Sequence, residues 1–262
     1  MQYEPHRPTS RVLDILETLA QHKSGLTLTD LSHAVKASAS TLTPFLRTLC
    51  ARGYVDLNRT TMLYTLAAKT LLLSAAFSDN DIYMLVKQEM QAVVDCCGET
   101  CQLAIRDGGN VFYIAKVDSP QQLRLVSAEG RSLPATCTAI GKCLLCELDR
   151  AELEGLYPNG LATLTSSSLK DMDELARQLA GIRAGDFARD VDEAVEHLRC
   201  FALPIRFGGK IDAAVSVSLP DFRLNEEKQQ VVFSCLETGR DAIERHLAAA
   251  GRGFASMNRT GS

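Results

Sequence analysis

No stretch of this chain approaches the roughly 18 consecutive apolar residues that a membrane-spanning helix needs, although 46% of its 262 residues are hydrophobic. Its first ten residues, MQYEPHRPTS, hold no apolar signal-peptide core. The expectation is a cytoplasmic protein without membrane contact. Catalytic signatures are also missing. There is no glycine-rich phosphate loop of the right spacing and no HExxH, and the five histidines (His6, His22, His33, His197, His246) are scattered. Only His197 and Cys200 stand at i,i+3, and an isolated Cys/His pair is weak ground for a nucleophile. No catalytic residue, cofactor or metal is expected, and the chain does not read as an enzyme. The nine cysteines are an odd count, which argues against a disulfide framework. Cys143 and Cys146 have CxxC spacing without a second pair at a zinc-ribbon distance. They fall in a helical run, so they read as buried thiols on one face. No repeat or low-complexity segment is present.

What is present is an uneven charge distribution. Residues 1–68 carry 7 Lys+Arg and 5 Asp+Glu, and the remainder carries 21 and 27. A mildly basic head on an acidic body is compatible with a small nucleic-acid module on a larger domain that does not bind nucleic acid. The head begins with TSRVLDILETLAQH, an amphipathic helix with Val12, Ile15, Leu16, Leu19 and Ala20 on one face and Ser10 as its expected cap. In LTLTDLSHAV, Thr27 caps a short helix, with Asp30 three residues later. SASTLTPFLRTLCARGYV starts as a third helix with apolar Leu42, Phe45, Leu46 and Leu49. YVDL and MLYTL read as two strands around the turn NRTT. Three helices and a hairpin within about 65 residues follow the order of a winged helix-turn-helix.

AAKTLLLSAAFSDNDIYMLVKQEMQAVVDCCGE then reads as two helices with a break near Ser78–Asn80. Beyond it come a hairpin turning at Gly108-Gly109, a strand in QLRLVS, a helix in TAIGKCLLCEL and another in SLKDMDELARQLAGIRAGD. Two strands around Gly208-Gly209 and a long terminal helix complete an α+β domain. The expected division is a DNA-binding domain over 1–67, a linker helix over 68–80, a second domain over 81–250 and a flexible tail over 251–262.

Two groups of residues carry chemistry. The third helix turns Ser40, Thr43, Pro44, Arg47 and Thr48 away from its apolar seam. A recognition helix needs that division, with hydrogen-bond donors on the open face. Arg59 at the hairpin tip is placed for a phosphate. A plain helical trio with a solvated face, or a protein-docking module, would look similar. In TCTAIGK a Thr-rich segment enters a helix, so the amides of Ala139 and Ile140 lack helical acceptors and suit an anion. An ordinary capped helix would look the same. Lys142 would either help hold that anion or point to solvent. Ser216 and Ser218 share one face of a strand by the period of two. They line a pocket or bond each other.

The order of these pieces resembles the IclR family of bacterial transcription regulators. RVLDILETLA, STLTPFLRTLCARGYV, GETCQLAIRDGGNVFYIAKVDSPQQLRLVS, GRSLPATCTAIGKCLLCEL, DVDEAVEHLRCFALPI and AAVSVSLP carry the likeness, which runs over about residues 9–248. The resemblance implies a winged helix-turn-helix, a linker helix and a GAF-like α+β effector domain, in a dimer or tetramer that binds palindromic operator DNA. On the winged head, the residues read as DNA-binding are Thr27, Ser40, Thr41, Thr43, Arg47 and Arg59. The resemblance also implies an effector pocket of Leu125, Leu133, Ala139, Ile140, Asp190, Cys200, Ser216 and Ser218, gripping a small organic or sugar acid. The expected activity is effector-responsive regulation, as a repressor of a catabolic operon.

Several positions depart from the family pattern. Asp186 and His197 stand where the family usually has Gly, and a bulky His197 could cap the ligand. Lys36 stands where the turn between helices often has Gly. Pro44 replaces a commonly basic residue. Because proline removes a backbone donor, the third helix is expected to start late, near Ser40 or Thr41, or to kink there. Two other classes stay open. One is a sensor acting through protein association without DNA. The other is a thiol-based redox or metabolite sensor centred on Cys200, Cys137 or the Cys96-Cys97-Cys101 cluster.

Overall fold

The structure is a computed structural model that describes residues 6–78, 81–122 and 128–254. It divides into two compact units, Met1–Asn80 and Asp81–Ser262. The first holds α1 (Arg7–Gln21), α2 (Leu28–Ala34), α3 (Ala39–Ala51), the antiparallel pair β1 (Val55–Asn58) and β2 (Leu63–Leu66), and α4 (Leu71–Ser78). Ile15, Leu19, Leu31, Val35, Leu42, Leu46, Leu49 and Val55 form one buried cluster. Tyr64 also pairs with Leu26 just before α2, which ties the hairpin to the helices. This is a winged helix-turn-helix.

Local chemistry sets each boundary. Thr27 and Asp30 form a reciprocal capping box at the start of α2, and the Thr27 hydrogen bonds hold the Asp30 carboxyl below its ordinary range. Between α2 and α3 the chain turns at Lys36 with φ 50°, the left-handed region that glycine occupies most cheaply. Asn58 Oδ1 accepts from the amides of Thr60 and Thr61 and fixes the hairpin turn.

Three expectations for this unit are corrected. α1 is capped at His6, not Ser10, because Pro8 fits the first helical turn, where its missing N–H has no partner to lose. α3 starts at Ala39, not near Ser40 or Thr41. Ser38 is its cap and accepts from the Thr41 amide. A later start would give up that bond and loosen Leu42, which is fully buried. Pro44 therefore lies inside the helix, exposed, and costs the carbonyl of Ser40 its helical donor. Ala20, expected on the buried face of α1, is exposed.

The second unit begins with α5 (Asp81–Cys97) and the hairpin β3 (Thr100–Asp107) and β4 (Asn110–Val117). There follow β5 (Ser132–Pro134), α6 (Ala139–Leu145), α7 (Arg150–Leu156), α8 (Met172–Arg183), β6 (Ala188–Val191), β7 (Leu198–Phe207), β8 (Lys210–Pro220) and α9 (Glu226–Ala250). The strands form one sheet in the order β5-β4-β3-β8-β7-β6, antiparallel throughout. Each face has its own core. α5 and α9 pack on Leu103, Val215, Val217 and Leu219, and α6, α7 and α8 pack with Ala104, Ala188, Cys200, Ala202 and Ala214.

Here too the structure corrects the sequence reading. β5, β6 and α7 were not expected. The strand expected in QLRLVS, with Leu125, falls outside the described residues. The tail is not free from residue 251. Phe254 is 2% exposed in the α5–α9 core, and its amide donates to Asp212 Oδ2. Val231, expected on the buried face of α9, is exposed. Cys96 and Cys235 are bonded as a disulfide, against the expectation from the odd count. The other seven cysteines are free, and Cys143 and Cys146 are buried as expected.

Since α3 runs unbroken through Pro44, Pro44→Ala should restore a helical bond without disturbing the buried seam. The N-terminal unit should gain about 1–3 kcal/mol, read as a raised urea midpoint. An unchanged midpoint would show that the helix already accommodates the ring without cost.

Candidate functional site

In the second unit, strand parity builds one polar row across four strands. Asp190 on β6 lies opposite Cys200 on β7, and Cys200 lies opposite Ser218 on β8. One step along, Ser216 faces Gln102 of β3. All five are buried. Val215, Val217 and Leu219 take the alternate positions of β8 and pack toward α5 and α9. The row opens on a cavity of about 320 Å³. Of the residues read from the sequence, Leu133, Ala139, Ile140, Asp190, Cys200, Ser216 and Ser218 line it, and Leu125 lies outside the described residues.

Hydrogen bonds order this floor. Ser218 Oγ lies 3.1 Å from both Gln102 Oε1 and Cys200 Sγ. Thr138 caps α6: its Oγ1 accepts from the Gly141 amide, and its carbonyl takes the Lys142 amide. That leaves the amides of Ala139 and Ile140, in the first turn, without a helical acceptor. Asp190 Oδ1 accepts from the amides of Glu193 (2.7 Å) and Ala194. Among the described residues, the buried side-chain atoms with no hydrogen-bond partner are Asp190 Oδ2 and Glu193 Oε2. Burial pushes the Asp190 carboxyl up to about 6 and also raises Glu193. Burial and the Asp190 charge push the Cys200 thiol well above its ordinary range.

Lys142 neither reaches solvent nor offers itself to an anion. It is fully buried, with Nζ 2.6 Å from Glu193 Oε1 and 2.8 Å from the carbonyl of Arg189. His197 does not cap the cavity. It has the left-handed φ of 59° that a glycine would favour, but its side chain is 85% exposed and meets Asp221. At Asp186 the backbone has ordinary φ, and the positive φ belongs to Gly185.

The sequence reading missed several cavity residues. Gln102 was legible as a polar residue inside an apolar strand, and Thr138 as the cap of α6. Tyr113 and Arg131 carried no local signal. They meet through a backbone pairing in which the Tyr113 amide donates to the Arg131 carbonyl. Arg131, Leu164 and Val195 are exposed cavity-lining residues.

In the first unit, Arg47 of α3 and Arg59 of the hairpin line one surface hollow with Cys50, Asp56, Leu57 and Tyr64. Ser40 and Thr41 are exposed at the start of α3, their hydroxyls sharing Ser38 Oγ. Thr43 Oγ1 is turned back onto the carbonyl of Ala39, and Thr27 Oγ1 donates to Asp30. Among the described residues no group of His, Cys, Asp or Glu is placed to hold a metal, and no helix is long and apolar enough to cross a membrane.

A winged helix-turn-helix joined in one chain to an α+β unit with a cavity over a buried polar row defines a class: DNA-binding regulators with a sensing domain. The chain belongs to the IclR family within it. Residues 8–59 match the IclR helix-turn-helix domain, and residues 74–245 match the bacterial transcriptional regulator IclR C-terminal domain. It is 33% identical over 241 residues to the HTH-type transcriptional regulator KdgR of Dickeya chrysanthemi, covering 90% of this chain and 78% of that one. It is 28% identical over 221 residues to the HTH-type transcriptional repressor AllR of Salmonella typhimurium, covering 83% and 81%. An IclR regulator from Alicyclobacillus acidocaldarius shares the fold with TM-score 0.84 at 22% identity, over 93% of this chain and 99% of that one. So does an IclR homologue from Microbacterium hydrocarbonoxydans complexed with 4-hydroxybenzoate, with TM-score 0.73 at 22% identity, over 92% and 99%. The protein is a DNA-binding transcriptional regulator.

The folded chain holds the Asp190 proton up to pH about 6, whereas an unfolded carboxyl releases it near 3.8. Stability from this group is therefore complete below the unfolded value and is lost as pH rises through about 6. The loss is on the order of 2–3 kcal/mol, and Glu193 adds in the same direction. Asp190→Asn should flatten the fall in stability between pH 4 and 6, measured by urea denaturation across that range. An equal slope in the variant would remove Asp190 as its source.

Proposed function

We propose that this protein represses a catabolic operon and is released or re-set by a small hydroxylated carboxylic acid, of the organic-acid or sugar-acid type, bound in the cavity. The observation that carries this reading is the buried Asp190 Oδ2, which lacks a hydrogen-bond partner beside a cavity of about 320 Å³. A buried carboxylate oxygen without a donor is costly, and a ligand hydroxyl would satisfy it, since an ionised Asp only accepts. Ser216, Ser218 and the amides of Ala139 and Ile140 would supply donors to the ligand carboxylate. Leu133, Ile140 and Leu198 would face its carbon skeleton. A chain of the same fold complexed with 4-hydroxybenzoate, a molecule carrying both groups, supports the ligand class. The name repressor on a relative supports the sign of regulation.

On DNA, α3 would enter the major groove, with Ser40, Thr41 and Arg47 toward the bases and Arg59 toward a phosphate of the flanking backbone. Thr27 and Thr43 would contribute through the helix starts and backbone they brace, their hydroxyls being engaged. Pro44 offers no donor on the outward face, which favours an operator preference unlike that of a chain with Arg there. The active form would be a homodimer or a pair of dimers. Leu71, Leu72 and Leu73, consecutive and each at least 60% exposed on α4, support this, because three exposed leucines in succession imply a covering surface. A thiol-centred output at Cys200 or Cys137 is disfavoured, since both are buried and both thiols are pushed up by burial.

Duplex DNA from upstream of the operon it governs should bind with an affinity that falls steeply with salt. Arg47→Ala and Arg59→Ala should each lower the logarithmic salt slope by about one in fluorescence anisotropy. Absence of duplex binding at low salt would overturn the reading. Leu72→Asp should shift the protein toward monomer in light scattering, and an unchanged mass would exclude α4 from the dimer surface.

A further inference from the structure

The Cys96–Cys235 bond has no part in the regulator reading. It joins the last turn of α5 to the middle of α9 across 139 residues of chain. Cys96 is an exposed residue and Cys235 is 4% exposed, so one end of the bond lies at the surface and the other in the core. The other cysteines make a contrasting set. Cys50 is half-buried, and Cys97, Cys101, Cys137, Cys143, Cys146 and Cys200 are buried. Burial raises all seven thiols, which leaves little thiolate to react.

A structural bond and a reversible one differ in whether the fold needs it. Here the two helices hold together without sulfur. Gly239 of α9 faces Val93 of α5 so closely that an added Cβ would lie 2.4 Å from Val93 Cγ2. Val86, Met90, Val93 and Val94 of α5 share one core with Val232, Leu236, Ile243 and Leu247 of α9. Next to the disulfide, Glu99 is 1% exposed and is gripped by Arg223 (2.9 and 2.7 Å) and Lys228 (3.2 Å). Lys228 also donates to the carbonyl of Cys97. The same corner is thus fastened by charge and by apolar packing, and breaking the S–S bond leaves both in place.

We infer that Cys96 and Cys235 form a reversible redox modification site, folded in both its dithiol and disulfide forms, that exchanges with a small thiol/disulfide couple of the glutathione class. In reduction, a small thiolate attacks the Cys96 sulfur. The S–S bond breaks, and Cys235 leaves as a thiolate and takes a proton. A second small thiolate attacks the mixed disulfide at its non-protein sulfur, Cys96 leaves as a thiolate and is protonated, and the small disulfide departs. Two small thiols become one disulfide as the protein gains two thiols, so electrons and protons balance. Oxidation is the reverse. The chemical consequence is a tether on the end of α5 that is present in oxidising surroundings and absent in reducing ones.

The test uses the full chain, equilibrated in buffers whose ratio of reduced to oxidised glutathione spans several decades. Samples are acid-quenched, alkylated and counted by intact mass and peptide mapping. Circular dichroism and a thermal melt are taken at each ratio. With alkylation in denaturant, the labelled cysteines should rise from the seven free ones to nine as the ratio rises, the two added labels falling together on Cys96 and Cys235, with the helical signal of the unquenched protein unchanged. The thermal midpoint should fall by several degrees between the oxidised and reduced limits, because the closed loop is long. Cys96→Ser should melt at the reduced midpoint at every ratio. Three results would each overturn the inference: a bond that persists until the chain unfolds, a bond that never forms, or ratio-dependent label on cysteines other than Cys96 and Cys235.

Discussion

The alternation of side chains along β8 is the constraint on which the effector unit depends. The strand lies at the centre of a six-stranded sheet, paired on both edges, with helices on both faces. Its residues must therefore satisfy two environments in strict turn. Val215, Val217 and Leu219 go to the face of α5 and α9. Ala214, Ser216 and Ser218 are left for the other, where small side chains leave room. A slip of one residue would drive the serine hydroxyls into an aliphatic core and turn valines into the cavity. The position of the cavity is thus decided by the packing demands of the opposite face. The cavity exists because Ala and Ser do not fill the space that Val and Leu would.

The charged groups beside the cavity follow from the same arrangement. Asp190 and Glu193 sit at the end of the short edge strand β6, where the chain turns away from the sheet. Loop amides and Lys142 compensate most of their burial. Lys142 serves Glu193 and a strand carbonyl, so it steadies the wall, and the cavity is lined by neutral donors, Asp190 and, at its exposed side, Arg131. A buried carboxylate with one oxygen fully engaged and the other open is held in place yet still able to accept. Glu193 also has one open oxygen, but of the two carboxylates Asp190 is the one that lines the cavity, which is why the proposed function gives the ligand contact to Asp190.

How much of this was legible in the sequence depended on whether the signal was local. The capping box at Thr27 and Asp30, the apolar seam of α3 and the parity of Ser216 and Ser218 are all local, and each was found. The start of α3 was misread because proline was weighed as a helix breaker alone. The capping bond of Ser38 and the burial of Leu42 outweighed one missing backbone bond. β5 and β6, three and four residues long, are too short to show alternation, and their strand character comes from their partners. The disulfide joins residues far apart in the chain, and an odd cysteine count says nothing about a single pair. Phe254 falls in the stretch read as a flexible tail, yet an aromatic side chain a few residues past a helix can fold back into the core. Of the site, the residues named by family likeness gathered around one cavity where described. Tyr113 and Arg131 were not found, since neither stands in a pattern until the sheet brings them to the cavity.

In the proposed function α3 meets operator DNA, and a ligand completes the polar floor of the cavity. The most direct test of this reading is calorimetric titration of hydroxylated carboxylic acids into the full chain and into Ser216→Ala and Ser218→Ala variants. At least one such acid should bind saturably, weakened about tenfold by each loss of a buried hydroxyl bond, with ligand-free operator affinity unchanged. Equal ligand affinity in the variants and the parent chain would contradict this reading.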